Sequence, residues 1–305
     1  MRLLKFAEFV NEMFLNEGGN AIEDARPIKQ SEIDKTYDYV KKEIFPLFGL
    51  RPDLDATPIG SFKKKLDDQT SGDIDIACSI EAIAGNAGIT MNEVLDHIEE
   101  VLQKAGFSTK KVKGFNQISV GVPIEGDPKK GTAQIDLMLT ANMEWSKFMY
   151  HSPDFREEES KYKGMYRNVL LMSIVSECKK EATKKLETGE TVEYKQYVIR
   201  LESGIWEVGK SFMGAKGLVK SAKLLHDQDK FVTSTPEAVT EIAFGPSVLP
   251  SEIMTFEEIW KKFEDPKFIH RDRKDAILKR FKDYILSCKV PVPIEVSETY
   301  PNLFN

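Results

Sequence analysis

At 305 residues the chain is long enough to bury a sizeable core and divides most naturally into two domains. Its content, 41% hydrophobic and 30% charged, is that of an ordinary soluble protein, and no run approaches the length of a membrane span. The three cysteines (Cys78, Cys178, Cys288) form no CxxC pair and suit reduced thiols in a cytoplasmic setting; with scattered histidines they offer no zinc cluster. A net charge of −6 argues against a long polyanionic partner, although Lys261 to Lys289 carries ten Lys/Arg against five Asp/Glu.

Met1 to Leu15 has Leu3, Phe6, Val10 and Met13 near helical spacing and predicts a short amphipathic helix. It lacks the apolar core and the small-residue cleavage site of a secretion signal, and Gly18-Gly19-Asn20 ends it. Residues 1–29 therefore read as an N-terminal helix or leader. Ser31 to Phe48 predicts a second helix, with Ser31 as N-cap and Ile33, Tyr37, Val40 and Ile44 along one face. A strand over Ala56 to Ile59 then delivers Gly60-Ser61, a tight turn whose backbone N–H groups suit a phosphate. Lys63, Lys64 and Lys65 follow after Phe62, where they serve either solvation or a phosphate.

Ser71-Gly72 turns the chain into Asp73-Ile74-Asp75-Ile76, where carboxylate and isoleucine alternate. A strand has a side-chain period of two, so Asp73 and Asp75 share one face while Ile74 and Ile76 enter the core. Two adjacent carboxylates repel, and a divalent cation relieves that repulsion. Thr90 to Gly106 predicts a helix opened by a Thr90/Glu93 capping box, with Val94, Ile98, Val101 and Leu102 as its apolar stripe. Strands are expected over Phe107 to Val112, Gln117 to Ile124 and Ala133 to Thr140. The last sets Asp136 between Ile135 and Leu137, the same acid-between-aliphatics pattern.

Taken in order, Gly60-Ser61, the Asp73-x-Asp75 strand and the later strand bearing Asp136 resemble the signature of the nucleotidyltransferase superfamily, which includes DNA polymerase beta, poly(A) polymerases and CCA-adding enzymes. The resemblance covers about residues 30 to 145. It implies an α+β fold, in which a palm-type mixed sheet with helices over 30–145 precedes a mainly helical domain over 146–305. It further implies Mg²⁺ (or Mn²⁺) held by Asp73, Asp75 and Asp136, which are also the catalytic residues, and an NTP substrate, ATP by preference. Nucleotide binding would fall to Gly60, Ser61, Lys63, Ser71 and Gly72. The implied reaction moves a nucleoside monophosphate from the NTP to an acceptor hydroxyl, with an RNA 3′ end as first choice. Synthesis of cyclic or short oligonucleotides, transfer to a small molecule or protein, and an inactive module of a phage particle are the alternatives. The start, KFAEFVNE followed by LNEGG, also looks like the N-termini of some tailed-bacteriophage proteins.

Beyond Trp145 a helix is expected over Glu157 to Lys185, with Tyr162, Lys163 and Tyr166 either packing on the sheet or holding the nucleotide. Gly204 to Ser211 fits G-x-x-x-x-G-K-[ST] letter for letter, yet Trp206 and Glu207 inside it oppose wrapping around a polyanion. It reads instead as a helix–turn. His270-Arg271-Asp272 resembles a kinase catalytic loop, but Ile277 stands where that loop needs asparagine. Short helices are expected over Glu237 to Phe244 and Thr255 to Phe263. A basic helix over Asp272 to Cys288 would turn Lys274, Arg280 and Lys282 outward, toward solvent or a nucleic-acid backbone. The proline-rich tail from Val290 reads as extended.

Overall fold

The computed structural model describes residues 21–111, 116–150, 162, 164–178, 182–185, 191–201, 203–213, 221–224 and 229–304. The N-terminal helix expected over Met1 to Leu15 lies outside them, as does Lys163. The chain forms two compact units, 1–165 and 166–305.

The first unit opens with β1 (Ile28–Lys29) and α1 (Gln30–Glu43). Strands β2 (Ala56–Pro58), β3 (Thr70–Ser71) and β4 (Asp73–Ser79) follow, then α2 (Ile80–Ala87) and α3 (Val94–Lys104). The unit is completed by β5 (Ser108–Lys111), β6 (Gln117–Pro123), β7 (Thr132–Thr140) and α4 (Met143–Tyr150). Five strands make one sheet in the order β2-β4-β7-β6-β5, while β1 pairs β3 separately. β4 and β7 run parallel and the other pairs antiparallel, so the sheet is mixed, as expected. A parallel neighbour requires a crossover, and α2, α3 and the β5–β6 hairpin make it.

Alternation then separates two faces. Ile74 and Ile76 of β4, Ile135 and Leu137 of β7, and Ile118, Val120 and Val122 of β6 are all buried in one apolar cluster. Ile33, Tyr37 and Val40 of α1 and Val94, Ile98 and Leu102 of α3 close that cluster. The expected box at Thr90 is present: its N–H donates to the Glu93 carboxylate at 2.9 Å. The start of α1 differs from expectation. Lys29, not Ser31, is the N-cap, and its N–H donates to Glu32 at 3.0 Å. Glu32 is fixed there because it also pairs with Arg26 at 2.8 Å.

The second unit contains more strand than the sequence suggests. After α5 (Gly164–Glu177) come β8 (Ala182–Lys185), β9 (Thr191–Arg200), β10 (Gly204–Met213), β11 (Ser221–Leu224) and β12 (Lys230–Thr233), a single antiparallel sheet. The expected helix through Lys185 thus stops at Glu177, and pairing with β9 overrides the helix propensity of the lysines after it. Gly204 to Ser211, expected as a helix–turn, is strand β10, which rules out a phosphate loop there. Helices α6 (Pro236–Phe244), α7 (Phe256–Glu264) and α8 (Lys274–Ser287) match expectation closely. The tail is helical rather than extended, as α9 (Ile294–Thr299) and α10 (Pro301–Phe304). Pro293 is the N-cap of α9 and Pro301 the first residue of α10, where a fixed φ favours the first turn.

Candidate active site

The site is built by register. In the parallel β4–β7 pair, Asp75 lies beside Asp136 and Asp73 beside Gln134. Aligned residues of neighbouring strands share a face, so all three aspartates project from the side opposite the apolar cluster. Their carboxylate oxygens can be chosen so that all lie within 4.8 Å of one another. Asp73 and Asp75 are partly exposed, whereas Asp136 is only 5% exposed.

Asp136 is held from two sides. Gln117 donates to its Oδ2 at 3.0 Å and Gln134 to its Oδ1 at 3.0 Å. Ser119, fully buried, lies directly across the ladder from Asp136. Burial, and next the charge of Asp73, push the Asp136 carboxyl up to about 7, while the Ser119, Gln134 and Gln117 side chains pull the other way. The Ser119 hydroxyl has no partner within hydrogen-bond geometry among the described residues, so the two glutamines are the bonded contacts that pull the carboxyl down. A carboxyl so placed gains most from a cation: the positive charge offsets both the desolvation and the repulsion. Three oxygen donors of this kind suit Mg²⁺ or Mn²⁺, which leave further positions to water and substrate phosphates.

Gly60 is required where it stands. Its φ is +62°, and a Cβ there would come within 2.5 Å of Asp75 Oδ2. The turn therefore lies against the carboxylate pair. Its N–H groups are not all free, however, because Gly60 N–H donates to the Tyr150 carbonyl at 3.0 Å. α4 thus ties the turn down at Gly60, and the Ser61 hydroxyl is the side-chain group the turn offers a phosphate. Ser71 is buried and accepts from Gln30 Nε2 at 3.2 Å, so its side chain braces the strand entry against α1. Gly72 is partly exposed beside Asp73. Lys63 is paired with Asp34 on α1 and lies 5.7 Å from the Phe62 ring centroid.

Several cationic side chains that could meet a phosphate are already engaged. Lys111 pairs with Asp96 and Glu99, each at 2.7 Å, and Lys130 pairs with Glu125. In the second unit Lys274 pairs with Glu264 at 3.1 Å, Arg280 with Glu177, and Lys282 with the Leu303 carbonyl. Tyr166 is buried, with its hydroxyl on the Pro291 carbonyl at 2.9 Å, and so serves packing. The sequence reading missed Gln117, Gln134, Ser119 and Tyr150. Only Gln134 had a signal, two residues before Asp136 on the same strand face; the others depend on pairings that spacing does not reveal.

A mixed α+β fold with a carboxylate trio on its central parallel strands is thus the frame in which the chemistry must be sought. No family model matches the chain, and no curated protein does. Among solved structures, it is similar to the Cid1 poly(U) polymerase with MgGTP bound, at 9% identity and a TM-score of 0.31, covering 99% of this chain and 98% of that one. It is likewise similar to Cid1 in complex with its short product ApU, at 10% identity and a TM-score of 0.30, covering 100% of this chain and 99% of that one. Likeness at this level fixes nothing about activity, which has to rest on the side chains themselves.

Proposed function

We propose that the chain is a divalent-metal-dependent nucleotidyltransferase that moves a nucleoside monophosphate from an NTP, ATP by preference, to an acceptor hydroxyl and releases pyrophosphate. The observation that carries this reading is the meeting of Asp73, Asp75 and Asp136 on one sheet face beside the Gly60-Ser61 turn. Asp73 and Asp75 would hold the divalent cations, with Asp136 as the third carboxylate ligand, the one assigned to activation of the attacking hydroxyl. When bound, Mg²⁺ or Mn²⁺ would lower the pKa of that hydroxyl and stabilise the departing pyrophosphate. Ser61 orients the terminal phosphates through its hydroxyl, with Gly72 and Ser71 setting the strand entry. Lys63, once released from Asp34, adds a cation near the turn. The Gln117–Asp136–Gln134 hydrogen bonds fix the third carboxylate before substrate arrives, so little reorganisation is needed at the reacting centre.

The acceptor favoured first is an RNA 3′ end, extended without a template. A second reading, transfer to a small nucleotide acceptor giving a cyclic or short oligonucleotide, has its own support. The net charge is −6, and Lys274, Arg280 and Lys282 are spent on internal partners rather than left for a phosphate backbone. Incubation with Mg²⁺ and each labelled NTP, with and without RNA, separates the two. Lengthened RNA supports the first and a low-mass product made without RNA the second. Asp73→Ala and Asp75→Ala are each expected to abolish transfer while the melting temperature in chelator stays within a few degrees of the parent protein. Full activity in either variant would remove the metal assignment.

A further inference from the structure

The carboxylate Asp136 is connected, through one side chain, to a segment far from it in sequence. Gln134 is only 2% exposed and spans the two. Its Oε1 accepts from the backbone N–H of Ala21 at 2.9 Å and of Ile22 at 3.2 Å, and its Nε2 donates to Asp136 Oδ1 at 3.0 Å. The amide has one orientation available. Rotated by half a turn, its NH₂ would face two N–H donors and its oxygen would face a carboxylate. The backbone at residues 21 and 22 therefore decides that a donor, and not an acceptor, meets Asp136.

That segment is docked by more than this bridge. Ile22 is 6% exposed, and Gly121, opposite Gln134 on β6, makes room for it: a Cβ at Gly121 would lie 3.0 Å from the Ile22 side chain. Ala25 bridges to Thr132 at the start of β7, and the Arg26 N–H donates to the Thr132 carbonyl at 2.9 Å. Arg26 then pairs with Glu32 on α1 at 2.8 Å. The strap thus crosses the end of the polar sheet face and is anchored on both sides of it.

We propose that Gln134 is a positioning residue for Asp136 and that the strap through Ala21 and Ile22 sets its orientation, so that docking of the strap and cation affinity at the carboxylate trio are coupled. This rests on the metal-dependent reading given above. Removing a partner that orients a metal ligand costs affinity on the order of tenfold, and by linkage the bound cation holds the strap in return.

Calorimetric titration of Mn²⁺ into the full chain tests the coupling, using Gln134→Leu, Ala21→Pro, the double variant and Asp136→Ala. Gln134→Leu is expected to weaken Mn²⁺ binding about tenfold. Ala21→Pro, which deletes the shorter of the two N–H donors, is expected to weaken it about threefold in the parent background and not further beside Gln134→Leu, since the two act through one bridge. Mn²⁺ affinity within about twofold of the parent in Gln134→Leu, or an equal loss from Ala21→Pro in both backgrounds, overturns the proposal. A parent protein that binds Mn²⁺ no better than Asp136→Ala overturns the metal-dependent reading itself, a different result. If Gln134→Leu does not fold, judged by its melt in chelator, Ala21→Pro alone decides: unchanged affinity there overturns the coupling.

Discussion

Asp136→Asn tests the electrostatics of the site with almost no change of shape. In the folded protein the Asp136 carboxyl is pushed up to about 7 from an ordinary 3.8, first by burial and then by Asp73. A carboxyl raised in the folded state contributes stability that is fully present below its unfolded value and is lost as pH rises through the folded one. Between about pH 5 and pH 7 the unfolded chain has already released this proton and the folded chain has not. At about 1.36 kcal/mol per pH unit, the metal-free parent protein loses roughly 3 kcal/mol relative to the variant across that window. The variant keeps its contacts, because Gln117 can turn its amide to accept from the new NH₂ while Gln134, held by Ala21 and Ile22, still donates to the remaining oxygen. The remaining local cost is independent of pH and cancels when the two proteins are compared across pH. Thermal denaturation in chelator at about pH 5 and about pH 8 reads the effect, since roughly 3 kcal/mol is worth about 6–12 °C in a unit of this size. The variant should gain on the parent protein as pH rises, and excess Mg²⁺ should reverse the order at the higher pH, stabilising the parent protein more. A difference between the two proteins that does not change with pH would refute the claim that Asp136 is crowded and desolvated.

Other expectations follow from single contacts. Gly60→Ala places a non-glycine residue at φ +62° and its Cβ 2.5 Å from Asp75 Oδ2; it should cost about 1–2 kcal/mol in a urea melt and weaken Mn²⁺ binding by displacing Asp75. Arg167 is fully buried in α5, donating to the Ile253 carbonyl at 2.8 Å and to Asn168 at 3.0 Å, with burial bringing its guanidinium down to about 10. Arg167→Ala should destabilise the protein by about 3 kcal/mol in denaturant titration, by leaving a cavity and unpaired acceptors. Burial pushes the Cys78 and Cys178 thiols up to about 12, so both should resist alkylation at about pH 8 until denaturant is added, as mass spectrometry of trapped thiols would show.

Much of the first unit was legible because its signals are local. The alternation Asp73-Ile74-Asp75-Ile76 is enough to put two acids on one side of a strand, and Ile135-Asp136-Leu137 does the same for the third. The Thr90/Glu93 box marks a helix start by a short-range hydrogen bond that needs no tertiary partner. The misread elements are those whose neighbours decide them. Lysines at 184 and 185 favour a helix alone and a strand beside β9; prolines at 293 and 301 suggest extended chain until the helices they open find something to pack on.

By itself the sequence determined which residues could bear charge toward a common face, since strand periodicity is a property of the backbone and not of its surroundings. The tertiary structure alone decided that β4 and β7 lie side by side in a register that sets Asp75 against Asp136. It also decided that Gly60 N–H goes to Tyr150 and that residues 21 and 22 reach Gln134. Such contacts join positions up to 113 residues apart, and only closure of the whole unit around its apolar cluster brings them within hydrogen-bond range.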